Sequence, residues 1–254
     1  LSRGGNRGSK VAEFSLYSTL GSLIASLTVG FIISEELDVI KLIFISCAFL
    51  ILINTVQIST INLRYNDIQI SKLNKRLIKF YIDNFIFMIT WSFAWPLFPI
   101  VQVKALNMDS FQVAITNVIS VLSTLFFQRI IGNLVDKNIK LTMFLGRILL
   151  ASFPLTYALA QNIYEIYLIN IISGITNSIS NVAYFTFVVE EAGEKRRAIG
   201  IYNLINGTGA LVGSMLGGII YSLLSPLGDV NIARQLLIVT SILRIISSIP
   251  FLFL

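Results

Sequence analysis

The chain has 254 residues, of which 55% are hydrophobic and 13% charged, with a formal net charge of +6 and a mean hydropathy of +0.81. Soluble domains carry roughly 25% charged residues, so this composition excludes a chain that covers its own apolar surface in water. The surplus of positive charge invites a nucleic-acid reading, but its distribution along the chain favours a membrane explanation and no nucleic-acid partner.

A hydrocarbon core of about 30 Å needs roughly 20 apolar helical residues. On that measure eight spans follow in order: Val11 to Ile33, Val39 to Ile58, Phe80 to Val103, Ser110 to Gly132, Leu141 to Ala160, Ile163 to Val189, Ala198 to Leu224 and Asn231 to Leu254. None alternates apolar and polar residues as barrel strands do, so the fold class is all-α and polytopic. Residues 1–10 are polar and basic, and the first apolar run has span length, which is not the build of a signal peptide.

Lysine and arginine fall on alternate ends of these spans. Arg3, Arg7 and Lys10 precede the first, and Arg64, Lys72, Lys75, Arg76 and Lys79 follow the second. Arg129, Lys137 and Lys140 follow the fourth, and Lys195, Arg196 and Arg197 the sixth, making fourteen of the 19. The positive-inside bias makes that side cytoplasmic, with the protein a multi-pass component of the cell membrane and the bilayer its surroundings.

Two features divide the chain. The segment Gly21 to Ile32, GSLIASLTVGFI, returns as GALVGSMLGGII at Gly209 to Ile220, 188 positions later, with six spans between the two starts. The stretch 59–79 is polar, basic and longer than the other connections. Residues 1–58 are therefore expected to be the last two helices of one half, 59–79 a cytoplasmic linker, and 80–254 a complete six-helix half. Four further helices of the same protein are the expected intramolecular partner. Gly209, Gly213 and Gly217, and likewise Gly21 and Ala25, lie four apart, which makes a groove for close helix approach.

The most specific motif is Gly132-Asn-Leu-Val-Asp136-Lys137-Asn-Ile-Lys140, between the fourth and fifth spans. It resembles the G-x-L-x-D-[RK]-x-G-[RK] signature of the major facilitator superfamily, in the turn between helices two and three of a six-helix half. Ile139 stands in place of the second Gly, and no Pro follows a Gly in Gly21 to Gly30 as it does in the fifth helix of many antiporters. The resemblance covers nearly the whole chain. It implies twelve helices in two halves, alternating exposure of a central cavity, and transport of a small solute by a gradient or by facilitated diffusion. It also makes Gly132, Asp136, Lys137 and Lys140, with Arg196 and Arg197, a cytoplasmic gating cluster held by ion pairs.

Substrate residues are expected where polar side chains repeat on one helical face at mid-membrane. The sixth span has Asn170, Gly174, Asn177 and Asn181; the fourth has Asn117, Ser120, Thr124 and Gln128; the third has Asn84, Met88, Trp91 and Trp95, ending at Pro96 and Pro99, which should break the helix. The seventh adds Tyr202, Asn203 and Asn206. The alternative use of such stripes is hydrogen bonding between helices. Arg244 lies deep enough to neutralise an anionic solute, Asp83 is a candidate proton site, and Arg147 is near enough to the interface to snorkel.

With no histidine and no G-x-x-x-x-G-K-[ST] loop, neither an HExxH zinc site nor ATP hydrolysis is expected, and no enzyme activity, cofactor or metal. The competing function is a membrane sensor or assembly subunit that binds a ligand without turnover.

Overall fold

In the computed structural model residues 37–59 and 74–253 are described, together with positions 13, 17, 19–25 and 28. Much of the first expected span, half of its copy of the repeat and residues 60–73 of the expected linker 59–79 lie outside the described residues, while the last five residues of that linker are helical. Those that are described form helices and no strand. In chain order these are α1 (Leu37–Ser59), α2 (Lys75–Phe93), α3 (Ser110–Leu159), α4 (Ile163–Ile179), α5 (Phe185–Glu191), α6 (Lys195–Leu224) and α7 (Asp229–Ser248).

Four described stretches are long and apolar enough to cross a membrane: Lys75–Ala105, Ser110–Leu159, Lys195–Leu227 and Asp229–Phe253. Stretch 163–191 is also about 43 Å long at 1.5 Å per residue, but its asparagine stripe dilutes its apolar character. Most large apolar side chains of α1, among them Phe44, Ile45 and Phe49, are exposed, which suits a helix bathed in lipid or covered by other helices.

The expected turn between the fourth and fifth spans is present as a kink inside α3, within the Gly132 to Lys140 motif. The 50 residues of α3 are two helical segments that meet there, about 42 and 32 Å long, each enough for one crossing. The helix breaks only at Asn138, whose φ of −154° and ψ of 88° are non-helical. The Asn138 side chain accepts from Leu141 N–H at 3.1 Å, so it caps the second segment while the first ends on it. One helical element thus supplies two crossings.

Helix starts follow local chemistry. Asp109 and Gln112 form a reciprocal capping box before α3, and Asn162 accepts from Glu165 N–H to open α4. Pro96 and Pro99 act as expected: α2 stops at Phe93, and the chain continues through the turn Phe98–Ile100 and the π-helical Val101–Ala105.

α2 packs on α6 and α7, and α3 on α4 and α7. The glycine groove is what seats α6 on α2. A Cβ at Gly209 would stand 2.7 Å from Met88 Cβ, and at Gly213 and Gly217 it would overlap the Ile89 and Phe93 carbonyls. Gly200, Gly207 and Gly218, by contrast, have open space there. Buried apolar side chains gather in two clusters, one around Phe80, Phe87, Tyr184 and Phe251, the other around Leu97, Tyr157, Ile166 and Leu237.

Candidate substrate cavity

Between α2, α3, α6 and the junction of α4 with α5 lies a cavity of about 330 Å³. Its wall is formed by Met88 and Trp91 of α2, Arg147 of α3, Tyr202, Asn203 and Asn206 of α6, and Ser180, Asn181, Tyr184 and Phe185. Arg147 is nine residues beyond the break in α3, and Asn181 ten residues before the end of α5. At 1.5 Å per residue both lie about 13–15 Å from the basic helix ends, near half the depth of a bilayer core.

Arg147 corrects the sequence expectation most sharply. Only 2% of it is exposed, so it does not snorkel. Its guanidinium carbon sits 3.9 Å from the centre of the Phe87 ring, 4.1 Å from Tyr184 and 4.9 Å from Phe251. One Nη donates to Asn84 Oδ1, and Asn84 Nδ2 donates in turn to Asn206 Oδ1 at 2.7 Å. Nε has no hydrogen-bond partner among the described residues. Gly146 makes the position possible, because a Cβ there would come 2.5 Å from Ile179 Cγ2 of α4.

The π-helical turn Ser180–Tyr184 shapes the opposite wall. Its i→i+5 bonding inserts an extra residue and turns the helix face. That turn carries Asn181 and Tyr184 to the cavity while the earlier asparagines face elsewhere. Tyr184 is fixed from behind by its hydroxyl, which donates to Met143 O at 3.0 Å.

Of the expected substrate residues, Trp91 and Asn181 line the cavity, and Asn84 stands behind its arginine. Met88, Tyr202, Asn203 and Asn206 from the same stripes also line it, whereas Trp95, Asn117, Ser120, Thr124, Gln128, Asn170, Gly174, Asn177 and Arg244 do not. Thr124 Oγ1 donates to Ser120 O at 2.8 Å and Gly174 O at 3.2 Å, and Asn177 Nδ2 to Ser120 Oγ at 3.3 Å, so both belong to the α3–α4 seam. Asn170 is buried with Nδ2 on Ile166 O, and Asn117 is exposed. Trp95 is 42% exposed and meets Trp91 edge to face with ring centres 5.5 Å apart.

Arg244 is fully buried, but away from the wall. It donates from Nη1 to Leu150 O at 2.7 Å and from Nη2 to Trp91 O at 2.6 Å. Both carbonyls have lost their ordinary helical donor. Residue 154, which should bond Leu150 O, is proline, and Trp95 N–H bonds Ser92 O instead at 3.0 Å. Arg244 replaces backbone donors where no water can. Its depth made it conspicuous in the sequence, and a proline four residues beyond Leu150 was the signal for its role.

On the face carrying the basic loops, Gly132 is buried, Lys140 half-buried, and Asp136, Lys137, Arg196 and Arg197 exposed. An ion pair that the sequence did not suggest lies on this side: Arg76 with Glu191 at 3.3 Å. Asn74 Nδ2 also donates to Glu191 at 2.7 Å, and its Oδ1 accepts from Arg76 N–H. The start of α2 is thereby tied to the end of α5. Asp83 is half-buried, with one carboxylate oxygen enclosed and lacking a hydrogen-bond partner among the described residues.

Comparison with known proteins agrees with this architecture. The family model described as Major Facilitator Superfamily matches residues 81–254. The chain is also similar to the proton-coupled antiporter flippase LtaA of Staphylococcus haemolyticus (strain JCSC1435), 25% identical over 131 residues, covering 49% of this chain and 33% of that protein. The chain thus spans about a third of the length of this curated relative. With membrane-length helices and a family match across all of α3 to α7, the chain belongs to the Major Facilitator Superfamily, as a multi-pass α-helical membrane protein.

Proposed function

We propose that this chain forms part of a membrane transporter that moves a small solute by alternating access, as secondary active or facilitated transport. The observation that carries the reading is the cavity itself: half-way into the bilayer, walled by amides and aromatic rings, and holding a buried arginine. A protein that used its helices only for anchorage has no use for such a wall, since polar groups in a bilayer are costly. The basic helix ends are assigned to the cytoplasm and the protein to the cell membrane, following the charge bias. Further helices of the same protein, completing the first half around 1–58, are the expected other wall of the route.

Asp83 is assigned as a proton-coupling residue. It precedes Asn84, which holds Arg147, and the similar antiporter is proton-coupled. Its enclosed carboxylate oxygen, with no hydrogen-bond partner among the described residues, supports the role.

The test is counterflow of labelled solutes into proteoliposomes of the intact protein. Exchange is expected. Saturable binding without exchange would overturn the transporter in favour of a sensor. Asp83→Asn is expected to keep counterflow but lose its response to an imposed pH gradient, and an undiminished response would end the assignment of Asp83.

A further inference from the structure

We infer that the solute is an organic anion, a carboxylate or phosphate ester on a compact apolar body, and that Arg147 receives its charged group. The inference rests on the transporter reading and narrows its substrate. A guanidinium stays protonated in proteins, so the wall carries a permanent positive charge. Among the described residues no acidic side chain lines the cavity, and none of the described ion pairs involves Arg147.

What surrounds the charge holds it without cancelling it. The Phe87, Tyr184 and Phe251 rings offer their quadrupoles, an attraction that tolerates a cation in a dry site. Asn84 supplies a neutral acceptor whose own amide is spent on Asn206. The chain from Arg147 through Asn84 to Asn206 therefore orients the guanidinium at the cavity and leaves one negative charge missing. A structural arginine at this depth takes the form of Arg244, closed off on two backbone carbonyls. Arg147 has instead a cavity and amides around its mouth.

Size and lining define the rest of the solute. A cavity of about 150 Å³ accepts benzene, so 330 Å³ holds a ring-sized apolar body with an acidic group. Met88, Trp91 and Phe185 supply the apolar wall, and Asn181 and Asn203 the polar one.

The chain contains two tryptophans, so Trp95→Phe leaves Trp91 as a fluorescent reporter in the wall. The intact protein in neutral detergent is titrated with phenyl phosphate, benzoate and the uncharged benzamide. The two anions are expected to quench Trp91 saturably and to bind about tenfold or more tightly than benzamide, as a charge-assisted hydrogen bond warrants. Asn84→Asp is the decisive variant. It is isosteric and sets a carboxylate on the Arg147 Nη, so it should abolish that preference while the protein stays monodisperse. Arg147→Gln should abolish it too, and Arg147→Lys should retain part of it.

Equal affinity for benzamide, or an anion preference unchanged in Asn84→Asp, would overturn the inference. Hexadecyl phosphate distinguishes the two sources of the head group: tighter binding than phenyl phosphate assigns a lipid phosphate, weaker binding a soluble anion. Anion binding without counterflow would remove the transporter reading and leave the site. Counterflow of neutral solutes, unaffected by Asn84→Asp, would do the reverse.

Discussion

If Arg244 stands in for helical donors, its contribution must depend on Pro154. Replacing Arg244 with Met keeps much of the volume and removes the bonds to the Leu150 and Trp91 carbonyls. Each buried acceptor left bare costs about 1–3 kcal/mol, offset by relief of the several kcal/mol spent in burying a cation. The single substitution therefore has no secure sign. The double-mutant cycle does. Pro154→Ala restores an N–H four residues after Leu150, so in that background Arg244→Met bares only the Trp91 carbonyl. The coupling energy should be about 1–3 kcal/mol, with Arg244→Met the milder change when residue 154 is Ala. Unfolding of the four proteins in mixed micelles with increasing dodecyl sulfate gives the cycle. A coupling below about 0.5 kcal/mol, the usual error of additivity, would refute the account of Arg244 as a surrogate donor.

The glycine groove offers a matched comparison on one helix. Gly213→Ala drives a methyl into the Ile89 carbonyl and Ser92 Oγ and should cost about 1–3 kcal/mol by overpacking, whereas Gly218→Ala meets open space and should be neutral or gain up to about 1 kcal/mol of helix propensity; thermal unfolding in detergent ranks them, and equal stability would contradict the α2–α6 packing. At the basic face, Asn74→Ala removes both the α2 cap and a bond to Glu191 and should destabilise by about 0.5–2 kcal/mol. Arg76→Gln breaks only an ion pair whose arginine is 55% exposed, so its effect should stay below about 1 kcal/mol, and hydrogen exchange at the start of α2 separates the two.

Where a rule concerned one residue and its chain neighbours, the sequence was readable. Pro96 and Pro99 end α2 because a missing N–H and a fixed φ act locally. Asp109 with Gln112, and Asn162 with Glu165, open their helices through bonds within four residues. The four-residue glycine spacing announced a close approach, though not that α2 would make it. The loop motif was readable too, since the kink between the two segments of α3 falls at Asn138, inside Gly132 to Lys140.

The functional residues were harder to read because two decisions are made between helices. The first is which neighbour a polar stripe faces. Asn170, Asn177 and Thr124 repeat as a cavity stripe would, yet they close the α3–α4 seam, and the π turn at Ser180–Tyr184 then carries Asn181 round to the cavity. An ideal 3.6-residue wheel cannot register that extra residue. The second is how a buried arginine is satisfied. Depth alone ranked Arg244 above Arg147, but depth does not report which donors the backbone has lost. Pro154 and the break after α2 consume Arg244, so the deeper cation is spent on structure. Arg147 bonds a side-chain amide rather than a backbone carbonyl and lies in the cavity wall. Proline placement, read together with charge, separates the two arginines where depth misleads.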